Sequence, residues 1–108
     1  MAIEEITATE LKNKMDAGED VQIIDVREQK EYDFAKIPNA KLIPIGEITK
    51  RMSELDPSRE AVLHCKGGGR SSRAIEELQR AGFQGKLKNL KGGITAWSND
   101  VDPSVPKY

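Results

Sequence analysis

Apolar positions along the chain gather into short runs, and the polar stretches between them carry apolar residues at helical spacing. "IEEI", 3–6, reads as a short strand. Thr7 and Glu10 have capping-box spacing, so Thr7 is expected to open a helix through "ATELKNKMDA", with Gly18 at its stop. "VQIIDV", 21–26, has the unbroken apolar character of a strand buried on both faces. "EQKEYDFAK" predicts a short polar helix ended by Pro38, and "AKLIPI", 40–45, another strand. In "GEITKRMSEL" the residues Ile48, Met52 and Leu55 stand at helical spacing, with Pro57 as the close. "AVLHC", 61–65, is a buried strand. "SSRAIEELQRAGF" places Ala74, Ile75, Leu78 and Ala81 on one helical face and stops at Gly82. "GKLKNL" predicts a last strand, "GGITAWSND" a short helix, and "VDPSVPKY", with two prolines, an extended tail.

Strands that alternate with helices predict an α/β domain with a parallel sheet covered on both faces. Such sheets bind ligands beyond the carboxyl ends of their strands. The stretch at one such end is "LHCKGGGRSS", 63–72: the only cysteine of the chain, three glycines, an arginine and a helix start. Unpaired N–H groups at a helix start can converge on an anion, and glycines let the backbone turn them inward. A thiol at that focus has a lowered pKa. Lys66, Arg70 and Arg73 add positive charge. A merely structural buried thiol would call for neither the three glycines nor the arginine.

Composition narrows the chemistry. The 108 residues suit one domain, 1–108, with one hydrophobic core. Net charge is −1, which gives no bulk attraction to nucleic acid or to an anionic membrane. No apolar run approaches the roughly 20 residues that span a bilayer, and "MAIEEITATE" lacks a signal pattern. One cysteine makes no internal disulfide and suits a reducing compartment, so a cytoplasmic location is expected. One Cys and one His make no zinc cluster; neither metal nor cofactor is expected. A phosphate-binding P-loop is absent, G-x-G-x-x-G starting at Gly67 fails at Ser72, and no second cysteine makes C-x-x-C. His64 neighbours Cys65, but adjacent strand residues point to opposite faces, so His64 reads as packing and not as a base. Phosphoryl transfer and sulfur transfer remain. Thiol phosphatases carry an arginine six positions after the cysteine. Here that position is Ser71, and Arg70 comes five after, so the loop encloses a smaller focus, which favours sulfur.

Four segments, in order, resemble the rhodanese family over essentially the whole length. Cys65, Gly68, Arg70 and Ser71 match C-x-x-G-x-R-S; Asp25, Val26, Arg27, Glu31 and Tyr32 match D-V-R-x-x-x-E-[FY]. "KIPNAKLIPI" resembles H-I-P-G-A-x-x-I-P, with Lys36 and Asn39 in place of histidine and glycine, and "LKGGITAW" matches L-x-G-G-x-x-A-W through Leu90, Gly92, Gly93, Ala96 and Trp97. Gly67 stands where many members carry a side chain. The resemblance implies a three-layer α/β/α fold with a five-stranded parallel sheet, and a Cys65 persulfide handed to a thiophilic acceptor.

On that reading Cys65 is the nucleophile, and the loop Lys66, Gly67, Gly68, Gly69, Arg70 and Ser71 binds the sulfur through the N–H groups of 66–70. Arg70 orders the loop through carbonyls or carboxylates, with an anionic donor as a further partner. Ser71 bonds the sulfur or caps the helix, and Lys66 meets an anionic donor or is solvated. Asp25, Arg27 and Glu31 are structural support, with an Arg27–Glu31 pair fixing the turn, and Trp97 reads as core first and as a wall of the pocket second. The tail resembles the end of rhodanese domains fused to sulfur-carrier adenylyltransferases, for which 108 residues leave no room: a stand-alone relative or an excised domain. The partners implied are thiosulfate or persulfide donors and a ubiquitin-like sulfur-carrier protein. A phosphatase or arsenate reductase on a related loop, and a rhodanese-like binding module without turnover, stay open.

Overall fold

Thr7 and Glu10 cap each other: the Glu10 N–H donates to Thr7 Oγ1 (3.1 Å) and the Thr7 N–H to Glu10 Oε1 (2.8 Å). This box starts the first helix of the computed structural model, which describes residues 3–108. Met1 and Ala2, which belong to the amino-terminal stretch without a signal pattern, lie outside the described residues. The elements in chain order are β1 (Glu5–Ile6), α1 (Ala8–Asp16), β2 (Gln22–Asp25), α2 (Gln29–Phe34), β3 (Ala40–Leu42), β4 (Ala61–His64), α3 (Gly69–Arg80), β5 (Leu87–Leu90) and α4 (Gly93–Asp100). The five strands form one sheet in the order β1-β5-β4-β2-β3, every pair parallel. β4 is therefore central, and all four of its residues are buried.

Neighbouring strand residues enter different apolar clusters, as a pleated strand requires. Ile23, Val62 and Leu90 pack with Leu11 of α1 and Ile94 and Trp97 of α4. Ile24, Leu63 and Leu87 pack with Ala74, Ile75 and Leu78 of α3 and with Ile48 and Leu55. The two clusters lie on opposite faces of the sheet, which gives the three-layer α/β/α arrangement. Asn39 is the one described residue other than glycine with positive φ (68°). Asparagine tolerates that conformation where most side chains do not, so the turn into β3 keeps its shape without a glycine. Among the described residues no helix is long and apolar enough to cross a membrane.

Three expectations about the elements of the fold fail. The helix read through 46–55 is two separate 3-10 turns, Ile45–Glu47 and Met52–Glu54. Gly46 and Thr49 are poor helix formers, and the anchors Ile48 and Leu55 reach the core without a regular helix between them. Ala81 is exposed at the C-cap of α3 instead of on its buried face, because the chain leaves the helix there and turns through Gly82. The tail is not simply extended. Asp102 accepts the Ser104 N–H (3.1 Å), Ser98 Oγ donates to the Val105 carbonyl (2.7 Å), and Val105 is buried. This turn carries the chain back over the carboxyl end of β2.

The least expected burial is Arg27, just past β2 and fully inaccessible. Its guanidinium donates to both oxygens of Asp25 (2.9 and 2.6 Å), to the Ala35 carbonyl (2.5 Å) and to the Tyr108 hydroxyl (2.8 Å). Asp25 is equally buried. Removal of the cation strands a buried carboxylate, so Arg27→Ala is expected to lower the unfolding free energy by about 3–5 kcal/mol. Urea denaturation, read as a drop in midpoint at unchanged slope, checks this.

Candidate active site

Cys65 is the first residue beyond the central strand. Its side chain shares a face with Leu63 and is 2% exposed. His64, one position back, is buried on the other face. Its Nε2 lies 3.8 Å from Asp25 Oδ2, and burial holds the imidazole below its ordinary pKa. His64 is thus a neutral packed side chain and gives no base to the thiol.

Gly68 precedes α3 at φ 114°, a left-handed conformation that a side chain rarely adopts. That turn aims the Gly68 N–H at Cys65 Sγ, 3.1 Å away. Ser71 Oγ stands 3.5 Å from the same sulfur. Burial pushes the thiol up, but bonds from the Ser71 hydroxyl and from the N–H groups of Ser71, Gly68 and Gly67 outweigh it and hold the thiol below its ordinary value. Lys66, Gly67 and Gly69 are exposed and form the rim.

The other side of the loop is held by α4. The Ile94 N–H donates to the Cys65 carbonyl (3.0 Å) and the Thr95 N–H to the Lys66 carbonyl (3.2 Å). Gly93 permits this approach. A Cβ there would lie 2.4 Å from the Lys66 oxygen and 2.6 Å from the Cys65 oxygen.

Arg70 makes a two-pronged pair with Glu31 of α2, Nη1–Oε1 2.7 Å and Nη2–Oε2 3.0 Å. Arg70 first of all, with the Glu28 N–H and the Tyr108 hydroxyl, holds the Glu31 carboxyl at about 2 against burial. Tyr108 donates to Glu31 Oε2 (2.7 Å) and accepts from Arg27. Lys66 Nζ sits 4.8 Å from the centre of the Tyr108 ring. Tyr108, Phe34, Lys30 and Glu31 line a shallow groove of about 300 Å³ beside the rim.

The chain as a whole is similar to known proteins. The family model described as Rhodanese-like domain matches residues 7–100. The chain belongs to the rhodanese-like family. YtwF of Bacillus subtilis, named as a sulfurtransferase, is 39% identical over 95% of this chain and 98% of its own length. MoeZ of Mycobacterium tuberculosis, named as an adenylyltransferase/sulfurtransferase, is 38% identical over 95% of this chain, which spans 26% of MoeZ. The crystal structure of a rhodanese-like domain protein from Staphylococcus aureus superposes with a TM-score of 0.83 at 35% identity, covering 98% of this chain and 99% of that one.

In this rhodanese-like domain Cys65, Lys66, Gly67 and Gly68 form the loop, Gly69, Arg70 and Ser71 stand in the first turn of α3, so that Gly68 and not Ser71 is the helix cap, and Glu31 is added through Arg70. The Arg27–Glu31 pair read from the sequence does not form. Arg27 is drawn inward by the buried carboxylate of Asp25, two residues back, which frees Glu31 for Arg70. Trp97 does not wall the pocket: it packs in the cluster on the face opposite Cys65. Two residues go unnoticed in the sequence. Asn89 bonds Ser71 and the Gly68 carbonyl; its signal is a polar residue inside the apolar strand "LKNL". Tyr108 carries no signal at all, since its partners lie 77 and 81 positions away.

Two measurements check this geometry. Gly93→Ala drives a methyl into two carbonyls at a left-handed position, and is expected to cost about 2–4 kcal/mol by thermal or urea unfolding. Glu31 in the folded chain titrates at about 2, below the ordinary 4.5. Its contribution to stability is full above the ordinary value and disappears as pH falls toward about 2. Stability measured across that range is expected to fall less steeply in Glu31→Gln than in the parent.

Proposed function

We propose that the domain is a sulfurtransferase whose Cys65 carries the sulfur. The observation behind this reading is the Gly68 N–H directed at Sγ at 3.1 Å, at the amino end of α3. N–H groups so placed favour a thiolate and, after transfer, a persulfide anion. The Cys65 thiolate attacks the outer sulfur of thiosulfate. A Cys–S bond forms, the donor's S–S bond breaks, and sulfite leaves with the electron pair. A thiophilic acceptor then takes the outer sulfur, and the electron pair of the Cys65 S–S bond returns to Sγ. A persulfide donor reacts in the same way, with a thiolate leaving.

Each loop residue has a role in this proposal. Gly67, Gly68 and Ser71 hold the charged sulfur through their N–H groups. Arg70 keeps the loop in shape through Glu31. Lys66, exposed at the rim, meets the anionic end of the donor. Two observations support a protein acceptor as well as small thiols. The rim at Gly67 and Gly69 is low, and a Cβ at either would meet nothing within 4 Å, so an extended chain end has room to reach the sulfur. MoeZ joins this kind of domain to an adenylyltransferase by name. A ubiquitin-like sulfur carrier fits both. A free thiol used in this way suits a reducing compartment such as the cytoplasm.

Mass spectrometry tests the reading. After thiosulfate, the intact chain is expected to gain one sulfur, lost again on addition of cyanide, while Cys65→Ala gains none. Sulfur retained by Cys65→Ala, or aryl-phosphate hydrolysis that depends on Cys65 without any sulfur loading, would overturn it. A loaded domain mixed with an adenylated carrier is expected to yield the carrier thiocarboxylate.

A further inference from the structure

Asn89 lies in β5 beside Leu63 of β4 and Glu5 of β1, and it is 4% exposed. Its side-chain nitrogen donates to the Gly68 carbonyl (3.2 Å) and to Glu5 Oε2 (3.3 Å). Both partners are acceptors, which fixes the orientation of the amide. Its oxygen therefore faces Ser71 Oγ, at 2.5 Å, and can only accept. The single hydroxyl proton of Ser71 is committed to Asn89. Toward a neutral Sγ, 3.5 Å away, Ser71 then presents a lone pair; the bond by which its hydroxyl favours the thiolate forms only when the proton turns from Asn89 to the sulfur.

We propose that Asn89 is a positioning residue that holds the Ser71 proton away from the Cys65 sulfur and yields it only when negative charge collects on Sγ. Three acceptors lie within reach of one proton: Asn89 Oδ1 at 2.5 Å, the Gly68 carbonyl at 3.2 Å and Sγ at 3.5 Å. Against a neutral thiol, the amide oxygen wins on distance. Against a thiolate, the sulfur gains a charge-assisted bond, roughly twice as strong as a neutral one. The inference rests on Cys65 as the reacting thiol of the proposed transfer and adds a control to it. With the thiol neutral, the proton rests on Asn89; once Sγ is ionised, it turns to the sulfur at the cost of the Asn89 bond, so the thiolate gains less from Ser71 than a free hydroxyl would give and keeps more of its nucleophilicity. As the acceptor takes the outer sulfur, the electron pair returns to Sγ and the Ser71 proton turns to meet it.

Other charges around the sulfur come from several elements. Lys66 and Arg70 belong to the loop and the start of α3, with Arg70 paired to Glu31 of α2. Tyr108 of the tail bonds Glu31. Asp25 and Arg27 pair with each other at the end of β2, His64 of β4 is neutral, and Glu5 of β1 lies beyond Asn89. Of these, only Glu5 loses a partner when Asn89 becomes Leu, and it does so in both Ser71 backgrounds alike, so a double-mutant cycle isolates the pair.

The experiment is the pH profile of Cys65 alkylation by iodoacetamide, which reports the acid–base state of the only cysteine and needs no sulfur transfer. A failure of the sulfur reading would leave this result interpretable. Asn89→Leu, which keeps the volume and removes the acceptor, is expected to lower the midpoint by about one unit, a tenfold change. Ser71→Ala alone is expected to raise it by less than about half a unit, because the cost of leaving Asn89 offsets most of what Ser71 gives the thiolate. In the Asn89→Leu background, Ser71→Ala is expected to raise it by about one unit. A midpoint that rises or stays put in Asn89→Leu, or an equal Ser71→Ala shift in both backgrounds, overturns the proposal, since an Asn89 that merely braces the Gly68 carbonyl predicts those results. If circular dichroism shows Asn89→Leu unfolded, Ser71→Ala decides alone: a rise of about half a unit or more overturns the proposal, and a smaller one supports it.

Discussion

The Lys66 peptide carbonyl is the point on which the site turns. It is taken by the Thr95 N–H, as the Cys65 carbonyl is taken by that of Ile94. A trans peptide points its N–H opposite to its carbonyl. Once α4 claims these two oxygens, the following N–H groups face away from α4, and that of Gly67 is among those that stabilise the thiolate. Two helix starts thus meet one loop. α4 directs its free N–H groups at the loop's carbonyls, and α3 directs its own toward the sulfur. Gly93 is the condition for this, because no other residue lets α4 come within bonding distance of the loop backbone.

From the loop the constraint passes outward through Glu31. Its two oxygens receive Arg70, the Glu28 N–H and the Tyr108 hydroxyl, and Tyr108 in turn receives Arg27, which closes on Asp25. One chain of charge-assisted bonds links the end of β2, α2, the cysteine loop and the tail. Desolvation offsets much of the Coulombic gain of a buried pair such as Asp25–Arg27, and an apolar replacement of similar volume is often neutral or better for stability. The apolar clusters on the two faces of the sheet supply the stability. The polar residues occupy the carboxyl ends of the strands, where direction counts for more than burial.

What the sequence made legible is local. The capping box at Thr7 and Glu10, the apolar runs of β2 and β4, and the cysteine loop are each encoded within a few neighbouring residues, and they stand where the pattern puts them. The failures involve distance or competition. Arg27 and Glu31 stand four apart, a spacing that invites a local pair, yet the folded chain offers Arg27 a buried aspartate and offers Glu31 an arginine 39 positions away. The segment 46–55 has helical spacing, but burial of its anchors constrains only where they end, and the intervening backbone takes 3-10 turns. Asn89 reads as an ordinary polar strand residue until the strand order brings β5 beside β4 and beneath Gly68.

The commitment of Arg70 to Glu31 also bears on which anion the loop suits. A phosphoryl group carries up to two charges spread over several oxygens, and a guanidinium directed into the loop would meet them in pairs. Here both terminal nitrogens of Arg70 already face a carboxylate, so the pair contributes little net charge at the centre. What remains at the focus is the Gly68 N–H at 3.1 Å and the neighbouring N–H dipoles, which on the proposed reading serve a single charge on sulfur. A shorter loop and a neutralised arginine point the same way for independent reasons, one steric and one electrostatic. To turn such a loop toward phosphate, the Glu31 pairing would have to be broken as well as a residue inserted, and either change alone would leave the anion with the wrong size of cradle or too little charge.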